Sequence, residues 1–237
     1  MAGGAVNHHL EQMAQAIFKS WFVDFEPFAD GEFIESELGE IPAGWRVLPL
    51  GDVVDISTKT INPQSCPDVV LEHYSIPAFD ETCLPVFEVA SGIKSNKYIV
   101  DKSCFLISKL NPSIKRIWRP YCISDNAVCS TEFIVYKAKN PSHKDFYYSI
   151  IDSASFTDFL LSHVTGSTGS RQRAIPSDTL AFAVVVPPDR IIDDFCDKVA
   201  SIYEKFEQNH LENRLLRQTR DTLLPRLMSG ELSVTNI

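Results

Sequence analysis

The chain has 237 residues, a net charge of −9, 44% apolar and 22% charged residues. That composition supports a sizeable core and excludes wholesale disorder. Its longest apolar runs, residues 180–188 among them, are far shorter than the roughly 20 residues of a membrane span, and no secretory signal pattern is present.

Taken in chain order, Asn7 reads as the cap of a short N-terminal helix. Its apolar residues Leu10, Met13, Ala14, Ile17, Phe18 and Trp21 recur at helical spacing. The helix is expected to end before Pro27, because the residue preceding a proline is driven out of the helical region. Residues 44–188 are β-rich, with short runs "WRVLPLGDVVDIS", "KYIVDKSCFLISK", "CSTEFIVYKA" and "LAFAVVVPP". Turn-prone clusters "INPQSCPD", "NPSIKR" and "NPSHKD" separate them. Residues 145–166, "DFYYSIIDSASFTDFLLSHVTG", switch to helical periodicity and predict one or two inserted helices.

From residue 189 to about 224 the pattern predicts one long helix. With Ile192, Val199, Phe206, Asn213, Arg220 and Leu227 at a, the d positions are Phe195, Ile202, Asn209, Leu216 and Leu223. At about 1.5 Å per residue the helix is roughly 50 Å long. A stripe of that length exceeds what the N-terminal helix can cover, and predicts pairing with a longer helix or a second copy. Asn209 and Asn213 would then fix the register. Pro225 is expected to end the helix, leaving "RLMSGELSV" as a docked tail.

Six cysteines (66, 83, 104, 122, 129 and 196) form no CxxC pair, which favours reduced thiols in a cytoplasmic protein and no zinc site. "NPSI" at residues 111–114 departs from an amino-methyltransferase loop, since Ile114 stands where an aromatic should be and no Gly-rich donor loop follows a strand. There is no P-loop. Asp80 and Glu81 read as a solvated loop pair. Ser108, His143 and His163 lack a nucleophile elbow. The residues argue against catalysis in this chain.

Charge, however, is unevenly distributed. Between residues 94 and 119 lie Lys94, Lys97, Lys102, Lys109, Lys115, Arg116 and Arg119 against one acid, Asp101, a local balance of +6 in an acidic chain. "GSTGSRQR", residues 166–173, adds glycines that admit phosphates and Arg171, Gln172 and Arg173, side chains able to read base edges. These two segments are the candidate DNA contacts. Lys94, Lys97, Lys109, Asn111, Lys115, Arg116 and Arg119 would position the duplex. Ser167, Thr168, Ser170, Arg171, Gln172 and Arg173 would lie along phosphates and bases.

These residues resemble the DNA-specificity (S) subunit of type I restriction–modification enzymes. "MAQAIFKSWFVDFEPF" is similar to the end of that family's central conserved helical region. "GEIPAGWRVLPLGDVVDI" is similar to the start of a target-recognition domain. "LISKLNPSIKRIWRP", "CSTEFIVY" and "TGSTGSRQRAIPSDTLAFAVVVPP" resemble its interior, and "RLLRQTRDTLLPRLMSGELSV" the family's closing motif.

The resemblance implies an α+β chain: helical residues 1–28, a mixed β-rich target-recognition domain with inserted helices at 29–188, and a coiled-coil helix and tail at 189–237. It implies double-stranded DNA, methylation subunits and, through them, restriction subunits as partners. The subunit would read one half of a split target without catalysis or a cofactor of its own; S-adenosylmethionine belongs to the methylation subunit. One recognition domain where the family has two implies a half-length subunit or a truncated gene product. Two copies would pair as a homodimer through the Ile192, Phe195, Val199, Ile202, Phe206, Asn209, Asn213, Leu216 and Leu223 seam. The competing reading is an acidic coiled-coil scaffold whose β-rich domain binds protein rather than DNA.

Overall fold

The structure, a computed structural model, describes residues 2–165 and 172–231. They fall into two compact units, residues 15–199 and residues 1–14 with 200–237. Five α-helices are present among the described residues: α1 (Ala2–Phe22), α2 (Ile76–Thr82), α3 (Lys144–Ile151), α4 (Ala154–Ser162) and α5 (Asp189–Met228). The α+β class and the placing of every β-rich run agree with the sequence reading.

Among the described residues the larger unit holds a four-stranded and a five-stranded sheet, with three two-stranded pairs beside them: Phe33–Ser36 with Gly39–Pro42, Arg46–Pro49 with Ala183–Val186, and Val164–Thr165 with Arg173–Ala174. The four-stranded sheet has the order Ile117–Trp118, Cys104–Ser108, Phe133–Ala138, Val54–Ile56, antiparallel throughout. The five-stranded sheet runs Thr60–Ile61, Lys97–Ile99, Ala127–Ser130, Val70–Tyr74, Val86–Val89, with one parallel pairing, Ala127–Ser130 on Val70–Tyr74. Side chains alternate across a strand, so Cys104, Leu106, Phe133 and Val135 meet Tyr74, Ala127 and Cys129 of the other sheet in one core. Their neighbours Phe105 and Tyr136 face the opposite way and are equally buried. These two rings stack at 5.6 Å, and the Tyr136 hydroxyl donates to Thr179 Oγ1 at 2.6 Å. Burial on both faces explains why "CFLIS" and "FIVYKA" read as continuous apolar runs.

A second core is built from rings. Phe22 lies 4.8 Å from Phe146, 5.1 Å from Phe195, 5.3 Å from Phe18 and 5.9 Å from Trp45, centroid to centroid. The latter half of α1, α3, the start of α5 and the Gly44-Trp45 turn converge there. Gly44 takes φ +85°, a conformation that L side chains rarely adopt, and so lets Trp45 turn inward. Phe25 adopts φ 54° after the helix ends, with its ring edge-on to Trp45 at 5.5 Å. Within "WFVDF" Phe22 is therefore core, Trp21 and Phe25 pack half-buried at its margin, and Val23 and Asp24 are exposed. Met13, counted in the helical stripe, is instead 53% exposed.

Several local readings are corrected. Asn7 is not a cap: α1 begins at Ala2. The Asn7 side chain is buried and accepts a hydrogen bond from Asn209 Nδ2 at 2.9 Å, so it bonds sideways between helices instead of to its own backbone. Residues 145–166 hold two helices, broken at Ser153, whose hydroxyl accepts from Phe156 N at 3.2 Å and caps α4. Asp80 and Glu81 lie on α2 rather than in a loop; Ser75 caps this helix, and Pro77 sits at its start, where a missing N–H costs nothing. Pro225 does not end α5, which continues to Met228. Residues 221–228 are exposed, so the carbonyl that proline leaves unbonded is open to water. Residues 225–231 are also exposed, not docked; 232–237 lie outside the described residues.

The a/d stripe of α5 divides along its length. Ile192, Phe195 and Val199 are fully buried in the larger unit. In the smaller unit Ile202 is buried, Phe206, Asn209 and Asn213 are half-buried, and Leu216 and Leu223 are 58% and 39% exposed. Leu211, Leu215, Leu224 and Leu227 are exposed as well. His210 is 6% exposed beside the Phe206 ring at 4.3 Å, and burial, with Arg217 adding, pushes its pKa down to about 4. No helix among the described residues is long and apolar enough to cross a membrane.

Candidate nucleic-acid interface

The basic window does not form one patch. Lys97 is 6% exposed, and its ammonium is held by Ser95 Oγ at 2.7 Å and the Ser95 carbonyl at 3.0 Å. Burial lowers its pKa. Arg116, also buried, forms a two-pronged pair with Asp80 at 2.6 and 2.9 Å, which holds the Asp80 carboxyl below its ordinary range. Arg119 forms a second two-pronged pair, with Asp145 at 2.8 and 3.2 Å. Lys115 reaches Asp152, 2.5 Å from its carboxylate and 2.6 Å from its carbonyl. Three of the window's seven cations are thus neutralised by acids from distant parts of the chain. None of those acids was evident as a partner from sequence. Lys94 is exposed, donating to the Ser91 carbonyl at 2.7 Å, and neither it nor the half-buried Lys109 carries an ion pair among the described residues.

What the fold does bring together is the 109–116 turn and the strand after the Gly/Ser loop. Asn111 N donates to the Gln172 carbonyl at 2.9 Å, and Ala174 N to the Lys109 carbonyl at 2.9 Å. A bridge joins Leu110 to Arg173, and Arg173–Ala174 pairs antiparallel with Val164–Thr165. Asn111 adopts φ 48°, a left-handed conformation that asparagine tolerates better than most residues. Its Oδ1 is buried with no hydrogen-bond partner.

Lys109, Asn111, Gln172 and Arg173 therefore share one edge of the domain, although some 60 residues separate the segments. Glu132, which sequence reasoning missed, joins them: its carboxylate accepts from Arg173 Nε at 3.0 Å and Nη2 at 3.2 Å. Its carbonyl accepts from Lys109 N at 2.9 Å. Ser167, Thr168, Ser170 and Arg171 lie outside the described residues.

The imagined nucleophile and bases have structural roles. Ser108 is buried with its hydroxyl on the Leu110 carbonyl, whereas His143 is buried against Asn140 and Asp193 and His163 hydrogen-bonds the Phe159 carbonyl. No disulfide joins the cysteines among the described residues, and burial pushes Cys122 and Cys196 up to about 12, far from thiolate chemistry. No group of three or more potential metal ligands exists among the described residues.

A polar edge on a β-rich domain is suited to recognition of a partner. Two curated relatives sharpen that class. The chain is 26% identical over 98% of its length to the type I restriction enzyme MjaIX specificity subunit of Methanocaldococcus jannaschii, covering 55% of that protein. It is 25% identical over 96% of its length to the HindI specificity subunit of Haemophilus influenzae, covering 62% of it.

Solved structures agree on the fold. An HsdS subunit from Thermoanaerobacter tengcongensis superposes with a TM-score of 0.58 at 18% identity, over 86% of this chain and 53% of that one. A chain from a structural study of complex assembly in the type I R-M system gives 0.55 at 19% identity, over 83% and 52%. No family model matches. The chain is a homologue of type I restriction enzyme specificity subunits and shares the HsdS fold, and it spans little more than half the length of the curated relatives it matches.

Proposed function

We propose that this chain recognises double-stranded DNA as the specificity component of a type I restriction–modification complex, reading one half of a split target. The observation that carries this reading is the likeness to two specificity subunits across nearly the whole chain. The polar edge formed by Lys109, Asn111, Gln172 and Arg173 supplies groups suited to phosphates and base edges.

In this reading the chain performs no chemistry. Methylation subunits docked on it carry S-adenosylmethionine, and restriction subunits join through them. Lys94 and Lys109, unneutralised, are better placed for phosphate contacts than Lys97, Arg116 or Arg119, whose charges are buried or paired. The exposed leucines of the second half of α5 are the surface for a second copy, giving a homodimer that presents two recognition domains. The complex would work in the cytoplasm.

The test is co-expression with a candidate type I methylation subunit, followed by mapping of methylated adenines. A methylated sequence of two separated half-sites that disappears without this chain is the expected result. Stable co-purification with no sequence-dependent methylation or DNA retention would overturn the reading in favour of a protein-binding scaffold.

A further inference from the structure

Resting on that reading, we infer that Glu132 is a positioning residue that fixes Arg173 for bidentate recognition of one guanine. A guanidinium can offer two donors along its Nε–Nη side or two along its Nη1–Nη2 end. Glu132 occupies the side, with Nε at 3.0 Å and Nη2 at 3.2 Å. The Nη1–Nη2 end then keeps an N–H on each nitrogen, and Nη1 has no partner among the described residues. That end matches guanine O6 and N7.

The carboxylate is itself held. Glu132 lies in the turn between Ala127–Ser130 and Phe133–Ala138, its N–H donating to Ser130 Oγ at 3.2 Å and its carbonyl accepting from Lys109 N at 2.9 Å. Arg173 is clamped from its own side by the Leu110 bridge and by its carbonyl, which accepts from Thr165 Oγ1 at 3.2 Å. With side chains 30% and 48% exposed, the pair contributes little to stability. An acid beside a DNA-binding edge repels phosphate, so its presence there suits orientation better than affinity.

The experiment selects bound duplexes from a randomised library with the full-length chain, wild type against Glu132→Gln, Arg173→Lys and the double variant, at two salt concentrations. Glutamine keeps the shape of glutamate and leaves both backbone bonds intact, but loses the charge that aligns the guanidinium. Glu132→Gln is expected to bind random DNA more tightly than wild type, yet lose about tenfold of the preference for guanine at one position. Arg173→Lys should lose preference at that same position, and the double variant should lose no more. An unchanged melting temperature separates this from misfolding.

A Glu132→Gln variant that keeps the wild-type preference, or loses it equally at every position, would overturn the positioning role while leaving DNA recognition intact. A wild-type chain that enriches no sequence would overturn both.

Discussion

Phe22 offers the sharpest test of how the domain is held together. It is 6% exposed and has rings at 4.8, 5.1, 5.3 and 5.9 Å around it, drawn from α3, α5, its own helix and Trp45. Truncation to alanine removes the transfer free energy of the ring and leaves a cavity whose walls are themselves rigid rings, so collapse is restricted. The expected loss is about 4 kcal/mol, near the middle of the range for buried phenylalanine. At an m-value of about 2.5 kcal/mol/M this shifts the urea midpoint down by about 1.5 M. Phe22→Leu should cost only about 1.5 kcal/mol, and Val23→Ala, at a position 55% exposed, less than about 0.5 kcal/mol. Trp21 and Trp45 report from inside the cluster, so tryptophan emission follows its loss directly. A Phe22→Ala midpoint within 0.2 M of wild type, a shift on the order of the Val23 control, would refute the claim that this cluster anchors the fold.

Asp80→Ala strands the buried Arg116 charge and is expected to destabilise the domain by about 2 kcal/mol, discounted because Asp80 is itself 45% exposed. Replacing Arg116 with methionine in the same chain should restore most of the loss, measurable as a double-mutant cycle in urea. His210 has its folded pKa pushed down to about 4 by burial. The unfolded chain therefore binds the extra proton first as pH falls. Stability from this group is complete above about pH 6.5 and is lost between there and pH 4, by about 3 kcal/mol. His210→Phe should remove that dependence, and identical pH profiles for the two proteins would contradict it.

Periodicity made much of the fold legible. "CFLIS" and "FIVYKA" are short continuous apolar runs buried on both faces, the 3-4 repeat after residue 189 follows the helix period, and such local signals survive whatever the partners are. The helix ends were less legible. A cap, a lateral hydrogen bond and a buried asparagine look alike in sequence, so Asn7 reads as a cap where it is a cross-helix contact; likewise, a proline costs a helix one hydrogen bond and a ring clash without always ending it, and α5 runs three residues past Pro225 with that turn open to water. At the polar edge, a run of cations shows its net charge but not where each side chain ends. Asp80, Asp145 and Asp152 stand 36, 26 and 37 residues from Arg116, Arg119 and Lys115, and no local pattern connects such pairs.

By itself, then, the sequence determined the α+β class, the β-rich runs quoted above, the N-terminal and long C-terminal helices and the motifs shared with specificity subunits, but not the strands Val70–Tyr74 and Val86–Val89 or the helix Ile76–Thr82. Those it determined depend on spacing within a few residues of chain. Tertiary structure alone decided which cations are spent on ion pairs, that Lys109 and Asn111 meet Gln172 and Arg173, and that Glu132 holds Arg173. Those outcomes arise from strand pairing between segments tens of residues apart, where backbone hydrogen bonds set the register and charge follows geometry.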